Sequence, residues 1–116
     1  MATRLRIQIE TLRPEDAETL IEELREELRS ARKKRGGWQV PDWRKTKRLH
    51  IRYEAPGSDV RGDVRRIFGG GGKTNVLDFE CKARKPEHTA IVAGRWINLL
   101  LRRVGERIRR IVVEVP

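Results

Sequence analysis

Residues 75–115 read NVLDFECKARKPEHTAIVAGRWINLLLRRVGERIRRIVVEV, and they decide the fold. Leu77, Phe79 and Cys81 alternate with polar residues, which is the period-2 pattern of a half-buried strand. Pro86 then stands where a helix begins, because its fixed φ suits the first turn and its missing N–H is not needed there. The predicted elements are a strand over Val76–Arg84, a helix over Pro86–Glu106 and a strand over Arg110–Val115.

The first half of the chain repeats this plan. Leu5, Ile7 and Ile9 alternate with polar residues, and Pro14 precedes Pro86 by 72 positions, the offset that also separates Leu5 from Leu77. A helix over Pro14–Lys33 and a strand over Leu49–Tyr53 complete the half. The sequence therefore predicts an α+β fold, a two-layer ferredoxin-like β-α-β-β-α-β sandwich whose antiparallel sheet carries two helices on one face. We expect a single domain, 1–116, with halves 4–54 and 75–115 and a flexible insertion, 55–74, between the second and third strands.

Within this insertion, Ser58 is a suitable N-cap for a short helix over Asp59–Phe68. Four glycines, 69–72, follow it and indicate a mobile segment. Gly-Lys-Thr at 72–74 is not a phosphate-binding loop, because position 67 is Ile67 instead of glycine and a strand follows instead of a helix.

Composition limits the classes of function. No apolar run is long enough to span a bilayer, and the N-terminus lacks the profile of a signal peptide. The single cysteine, Cys81, lies on the apolar side of its strand, so we interpret it as a buried hydrophobe in a cytoplasmic protein. Neither it nor His50 and His88 show metal-ligand spacing, and we expect no cofactor, metal or membrane partner. We found no catalytic arrangement and expect no enzymatic activity; the enzymatic alternative is a small nuclease.

The net charge of +10 is unevenly distributed. Residues 15–28 carry −6, whereas residues 29–116 carry +14. One acidic helix on a basic body favours a polyanionic partner on the basic side. The alternative is a highly charged surface that serves solubility or thermostability.

The connector after the first helix places two tryptophans among basic residues. Aromatic rings can stack on bases while cations contact phosphates, which is what single-stranded nucleic acid requires. The alternative is that these tryptophans cover the open end of the core. The predicted nucleic-acid-binding residues are Lys34, Arg35, Trp38, Trp43, Arg44, Lys45, Lys47, Arg65, Arg66 and Lys73.

A second function class is protein interaction. The second helix is apolar on most sides, which requires cover either from the 55–74 segment or from another subunit. The acidic face of the first helix is either solvated or docks a basic partner. The predicted interface residues are Trp96, Glu22 and Glu26, in a homodimer or with a protein partner.

The β-α-β-β-α-β order resembles the RNA-recognition motif in topology. That family stacks bases on aromatic residues of its central strands. The corresponding outward positions here, among them Gln8 and Glu80, carry no aromatic residue, so the resemblance transfers no binding residues. The strand–helix–strand ending around Trp96 also looks like small adaptor domains fused to bacterial effector proteins. Our leading hypothesis from sequence is a non-catalytic domain that binds RNA or single-stranded DNA with weak sequence preference; the alternative is an adaptor or oligomerisation module.

Overall fold

The computed structural model of the chain describes residues 3–13, 15–30, 37–39, 50–67 and 75–116. These residues form two helices and one six-stranded sheet. The strands are β1 (Arg4–Thr11), β2 (Trp38–Gln39), β3 (His50–Glu54), β4 (Arg61–Ile67), β5 (Val76–Lys82) and β6 (Ile108–Glu114). The helices are α1 (Asp16–Ser30) and α2 (Pro86–Val104), and a 3-10 turn, Gly105–Arg107, follows α2.

All neighbouring strands of the sheet are antiparallel, in the order β2-β3-β4-β5-β1-β6. The α+β class is therefore confirmed. The strand order differs from the predicted one, because β4 lies between β3 and β5. In the predicted β-α-β unit, β1 and β3 would run parallel. Because β4 lies between β3 and β5, β3 instead runs antiparallel to β1.

The core lies between one face of the sheet and the two helices. Ile7 on β1 is opposite Phe79 on β5, and both are fully buried on this face. The ring of Trp96 on α2 packs edge to face against two other rings, with centroid distances of 5.2 Å to Phe79 and 5.6 Å to Trp38. The buried apolar residues of the helices are Ala17, Leu20, Ile21 and Leu24 on α1, and Val92, Ala93, Trp96, Leu100 and Val104 on α2.

Residues 61–67 form a strand, so the helix predicted over 59–68 is wrong. Val64 points into the core from β4, and Gly62 on the same side lies so close to α2 that a Cβ there would be 2.8 Å from Val92 Cγ2. The third inward position of β4 is Arg66, opposite Phe79. With only one large apolar side chain directed inward, β4 lacks the pattern by which its neighbours were found.

Several element ends also differ from expectation. The last strand begins at Ile108 instead of Arg110, and α2 gives way to a 3-10 turn after Val104. Trp38 and Gln39 form β2, which adds a short strand at the edge of β3. Neither of the described helices is long and apolar enough to cross a membrane.

Candidate interaction surfaces

The open face of the sheet, opposite the helices, is covered by charged side chains of alternating sign. On β1 and β5, Arg6 is opposite Glu80, and on β5 and β4 the same Glu80 is opposite Arg65. Lys82 is likewise opposite Asp63 on β4. Opposite charges on directly paired residues stabilise a sheet, whereas like charges would destabilise it.

Ion pairs and hydrogen bonds connect this face. Asp78 accepts a hydrogen bond from Gln8 Nε2 at 3.2 Å and lies 3.6 Å from Arg6 Nε. Asp63 lies 3.0 Å from His50 Nε2 and 3.8 Å from Arg52 Nε. The cations of this face are thus matched by carboxylates, which leaves little net attraction for a phosphate backbone.

A cleft of about 640 Å³ lies where the open face meets the beginning of α2. Arg61 and Lys82 line it together with Asp63 and Glu80, so its charge is mixed. No group of three metal-ligating side chains occurs among the residues that the structure describes. Nearby Cys81 is fully buried on the other side of the sheet, and burial raises the pKa of its thiol to about 12, so the thiol stays protonated at neutral pH.

Trp38 lies in the core. The centroid of its ring lies 4.8 Å from that of Tyr53 and 5.6 Å from that of Trp96, and the residue is only 8% exposed. It therefore covers one end of the core, as in the alternative interpretation, and offers no free ring face to a base. Trp96, predicted at an interface, is fully buried at the centre of the aromatic cluster.

Two of the predicted phosphate-binding arginines lie on opposite faces of β4. Arg65 is exposed on the open face. Arg66 is directed toward α1, where its Nη2 donates a hydrogen bond to Glu18 Oε1 at 2.6 Å and its side chain is only 11% exposed. The other predicted binding residues lie outside the described part of the chain: Lys34, Arg35, Trp43, Arg44, Lys45, Lys47 and Lys73.

The excess positive charge also lies largely outside the described residues. Their formal charges sum to +2, so +8 of the net +10 belongs to residues 31–36, 40–49 and 68–74. The positive charge expected from sequence is thus concentrated in these three segments, and the described residues are almost neutral.

The acidic helix α1 has basic partners within the chain. Glu18 pairs with Arg66 of β4, and Glu23 lies 2.7 Å from Arg107 of the 3-10 turn. The hydrogen bond from Arg66 lowers the pKa of Glu18, and the hydrogen bond with Glu23 raises the pKa of Arg107. Glu22 and Glu26, the predicted interface residues, are exposed beside a cleft that α1 forms with Arg103 and Val104 of α2.

The outer edge of β6 is the surface that sequence reasoning missed. β6 ends the sheet, and within the described residues no strand pairs with its outer side. Ile111 and Val113 are opposite Ile9 and Ile7 on the helix side of the sheet, yet Val113 is 48% exposed, whereas Ile7 and Ile9 are fully buried. The sequence IVVEV predicts a strand, but only the strand order shows that it lies at an edge.

The backbone of this edge also has no hydrogen-bonded strand on its outer side among the described residues. Thr11 N–H donates to Asn75 on the β5 side, so the odd-numbered residues of β1 bond to β5 and the even-numbered residues bond to β6. Gln8 is opposite Val112, whose N–H and C=O therefore point to β1. The N–H and C=O groups of Ile111 and Val113 consequently point outward.

No protein-family model and no curated protein matches this chain.

Proposed function

We propose that the chain is a non-catalytic protein-interaction module that assembles through the outer edge of β6. The observation that carries this proposal is an edge strand of seven residues that combines outward backbone donors and acceptors with a partly exposed apolar side. Sheet edges of this kind accept another strand by backbone hydrogen bonding, while alternate side chains provide specificity.

β6 lacks several of the features by which proteins keep an edge strand from pairing with another chain. Natural edges are protected by charged side chains, especially lysine, by proline, by bulges or by very short strands. The strand Ile108–Glu114 contains neither lysine nor proline, although Arg109, Arg110 and Glu114 are charged, and its register shift, beside Thr11, lies at its beginning. The remaining stretch, 110–114, is regular and is available to a partner.

The test is a lysine substitution at the edge. Val113→Lys puts a charged, protective side chain on the partly exposed apolar side of β6. The control is Ile91→Lys on α2, because Ile91 is 41% exposed and Val113 is 48% exposed. We expect the proteins that associate with the immobilised chain, including further copies of it, to be lost with Val113→Lys and retained with Ile91→Lys. An identical set of associated proteins for the wild type and Val113→Lys would overturn the proposal.

Nucleic-acid binding is the second candidate, and the location of the excess charge favours it. Segment 40–49, with a net charge of +3, and segment 68–74, with the single cation Lys73, adjoin His50, Ile67 and Asn75. Because β3 and β5 each run antiparallel to β4, the start of β3, the end of β4 and the start of β5 lie at the same end of the sheet. Half of the +8 thus belongs to segments that adjoin this end of the described sheet, and phosphate contacts from their cations would be independent of the nucleotide sequence.

Fluorescence anisotropy with labelled single-stranded RNA, single-stranded DNA and duplex DNA tests this candidate. We expect the logarithm of the binding constant to fall linearly with the logarithm of salt concentration. Arg44→Gln/Lys45→Gln should weaken binding, whereas Arg95→Gln/Arg102→Gln, which removes the same charge from exposed positions of α2, should have a smaller effect. Equal effects of the two double variants, or no binding at low salt, would contradict it.

A further inference from the structure

We infer that the partner of β6 is β6 of a second copy of this chain, paired antiparallel about Val112 so that two sheets join edge to edge. This inference rests on the proposed function, because it names the occupant of the same edge.

The backbone polarity suits this arrangement. The N–H and C=O groups of Ile111 and Val113 point outward, whereas those of Val112 point to β1. When two strands pair about Val112, Ile111 of one copy is opposite Val113 of the other, and each of these pairs exchanges both N–H···O=C hydrogen bonds. The two Val112 residues then form a pair without hydrogen bonds between them, as the alternation of an antiparallel ladder requires.

Two-fold symmetry preserves the faces of the joined sheet. With the axis perpendicular to the sheet, the helix side of one copy continues into the helix side of the other. Ile111 and Val113 lie on that side, and each would be covered by the other residue of the second copy. The partly exposed Val113 would thus gain Ile111 of the second copy as an apolar neighbour, and cross-strand pairs of apolar side chains stabilise a sheet.

The charges select this register. On the open face, Arg110 would be opposite Glu114 of the second copy, and Glu114 would be opposite Arg110. Pairing about Ile111 would instead place Arg110 opposite Val112, and pairing about Val113 would place Glu114 opposite Val112. Pairing about either charged residue would bring two like charges together, so only the register about Val112 matches both charges.

The same register continues the charge alternation of each sheet across the boundary. Within one copy, Glu10 Oε2 lies 2.9 Å from Arg110 Nη2, and Arg6 is opposite Glu114. The joined row would read Glu10, Arg110, then Glu114 and Arg6 of the second copy, with opposite signs at every step. Complementary charges of this kind fix register and exclude wrong pairings.

Sedimentation equilibrium over a concentration series tests the pairing. The wild-type chain should approach twice its mass of 13.5 kDa. Arg110→Glu and Glu114→Arg should each weaken dimerisation about tenfold or more, because each turns two attractive pairs into two repulsive ones. An equimolar mixture of the two variants should dimerise again, since one copy then supplies two acids and the other two bases. Arg95→Glu, an exposed charge reversal on α2, is the control.

A crosslink provides a second measurement that does not depend on charge. In a pair without hydrogen bonds the two Val112 Cα atoms would be about 4.5 Å apart, within the range of a disulfide. Val112→Cys should therefore form a covalent dimer under mild oxidation, whereas Glu114→Cys should not, because the two copies of that position would lie roughly 13 Å apart. The native Cys81 is buried and serves in both variants as an unreactive thiol.

The outcomes separate the two proposals. A wild-type chain that remains monomeric at every concentration overturns self-pairing, while the proposed function stands if Val113→Lys still abolishes capture of another protein. A dimer that survives both charge reversals and gives no Val112→Cys crosslink overturns the register. A dimer that is restored only in the mixture supports it.

Discussion

Replacing Gly62 by alanine tests a close contact between the sheet and α2. The added Cβ would lie 2.8 Å from Val92 Cγ2, 3.0 Å from the carbonyl oxygen of Lys82 and 3.3 Å from Ala83 Cβ. Val92 is fully buried and, as a β-branched residue in a helix, has essentially one rotamer, so it cannot turn aside. Relief requires α2 or β5 to move. Overpacking of this kind costs about 1–3 kcal/mol of unfolding free energy.

Urea denaturation monitored by circular dichroism measures this cost, and Gly94→Ala is the matched control. A Cβ at Gly94 meets open space within α2, so alanine there should stabilise the chain by about 0.5–1 kcal/mol. The two substitutions add the same methyl group and should change stability in opposite directions. A Gly62→Ala variant as stable as the wild type would refute the close packing of α2 on β4.

Three further predictions concern the buried groups and the ion pair of α1. Because Arg66 lowers the pKa of Glu18, the stability that this pair provides is present above the ordinary pKa of 4.5 and is lost as the pH falls through the lowered value. The stability difference between the wild type and Glu18→Gln should therefore shrink on acidification, and a difference independent of pH would contradict the ion pair. The Cys81 thiol, whose pKa is raised to about 12, should react with a thiol reagent only after denaturation; rapid modification of the native chain at neutral pH would contradict its burial. Trp38→Ala should cost about 3–5 kcal/mol of unfolding free energy, as for a buried aromatic residue, whereas a cost below about 0.5 kcal/mol would indicate an exposed ring.

The sequence predicted the elements whose pattern is unambiguous. Alternation of apolar and polar residues located β1 and β5, and Pro86 located the beginning of α2. The repeat also has a structural counterpart. The two strand–helix units begin on adjacent antiparallel strands, in which Ile7 is opposite Phe79.

The strand order depended on β4, which has no such pattern. Its inward positions are Gly62, Val64 and Arg66, and they have different roles. Gly62 allows the close approach of α2, Val64 packs in the core, and Arg66 forms an ion pair with Glu18. The spacing of Val60, Val64 and Ile67 imitates a helix, although Ile67 lies on the open face. Because β4 was missed, the direction of β3 was also wrong.

For the candidate surfaces too, the sequence showed local features but not long-range contacts. Local composition identified Trp38 as distinctive, but only its contacts with Tyr53 and Trp96 show that it belongs to the core. The edge position of β6 depends on pairings between residues about a hundred positions apart, such as Arg6 with Glu114. Local periodicity carries no information about such pairings.

Amide hydrogen exchange measured residue by residue along β6 tests the central claim most directly. The N–H groups of Val112 and Glu114 face β1 and should be protected at every protein concentration. Those of Ile111 and Val113 face outward, and they should exchange rapidly in dilute protein and become protected as the concentration rises. Exchange of Ile111 and Val113 that stays rapid at all concentrations, and in the presence of every captured protein, would contradict an assembly role for this edge.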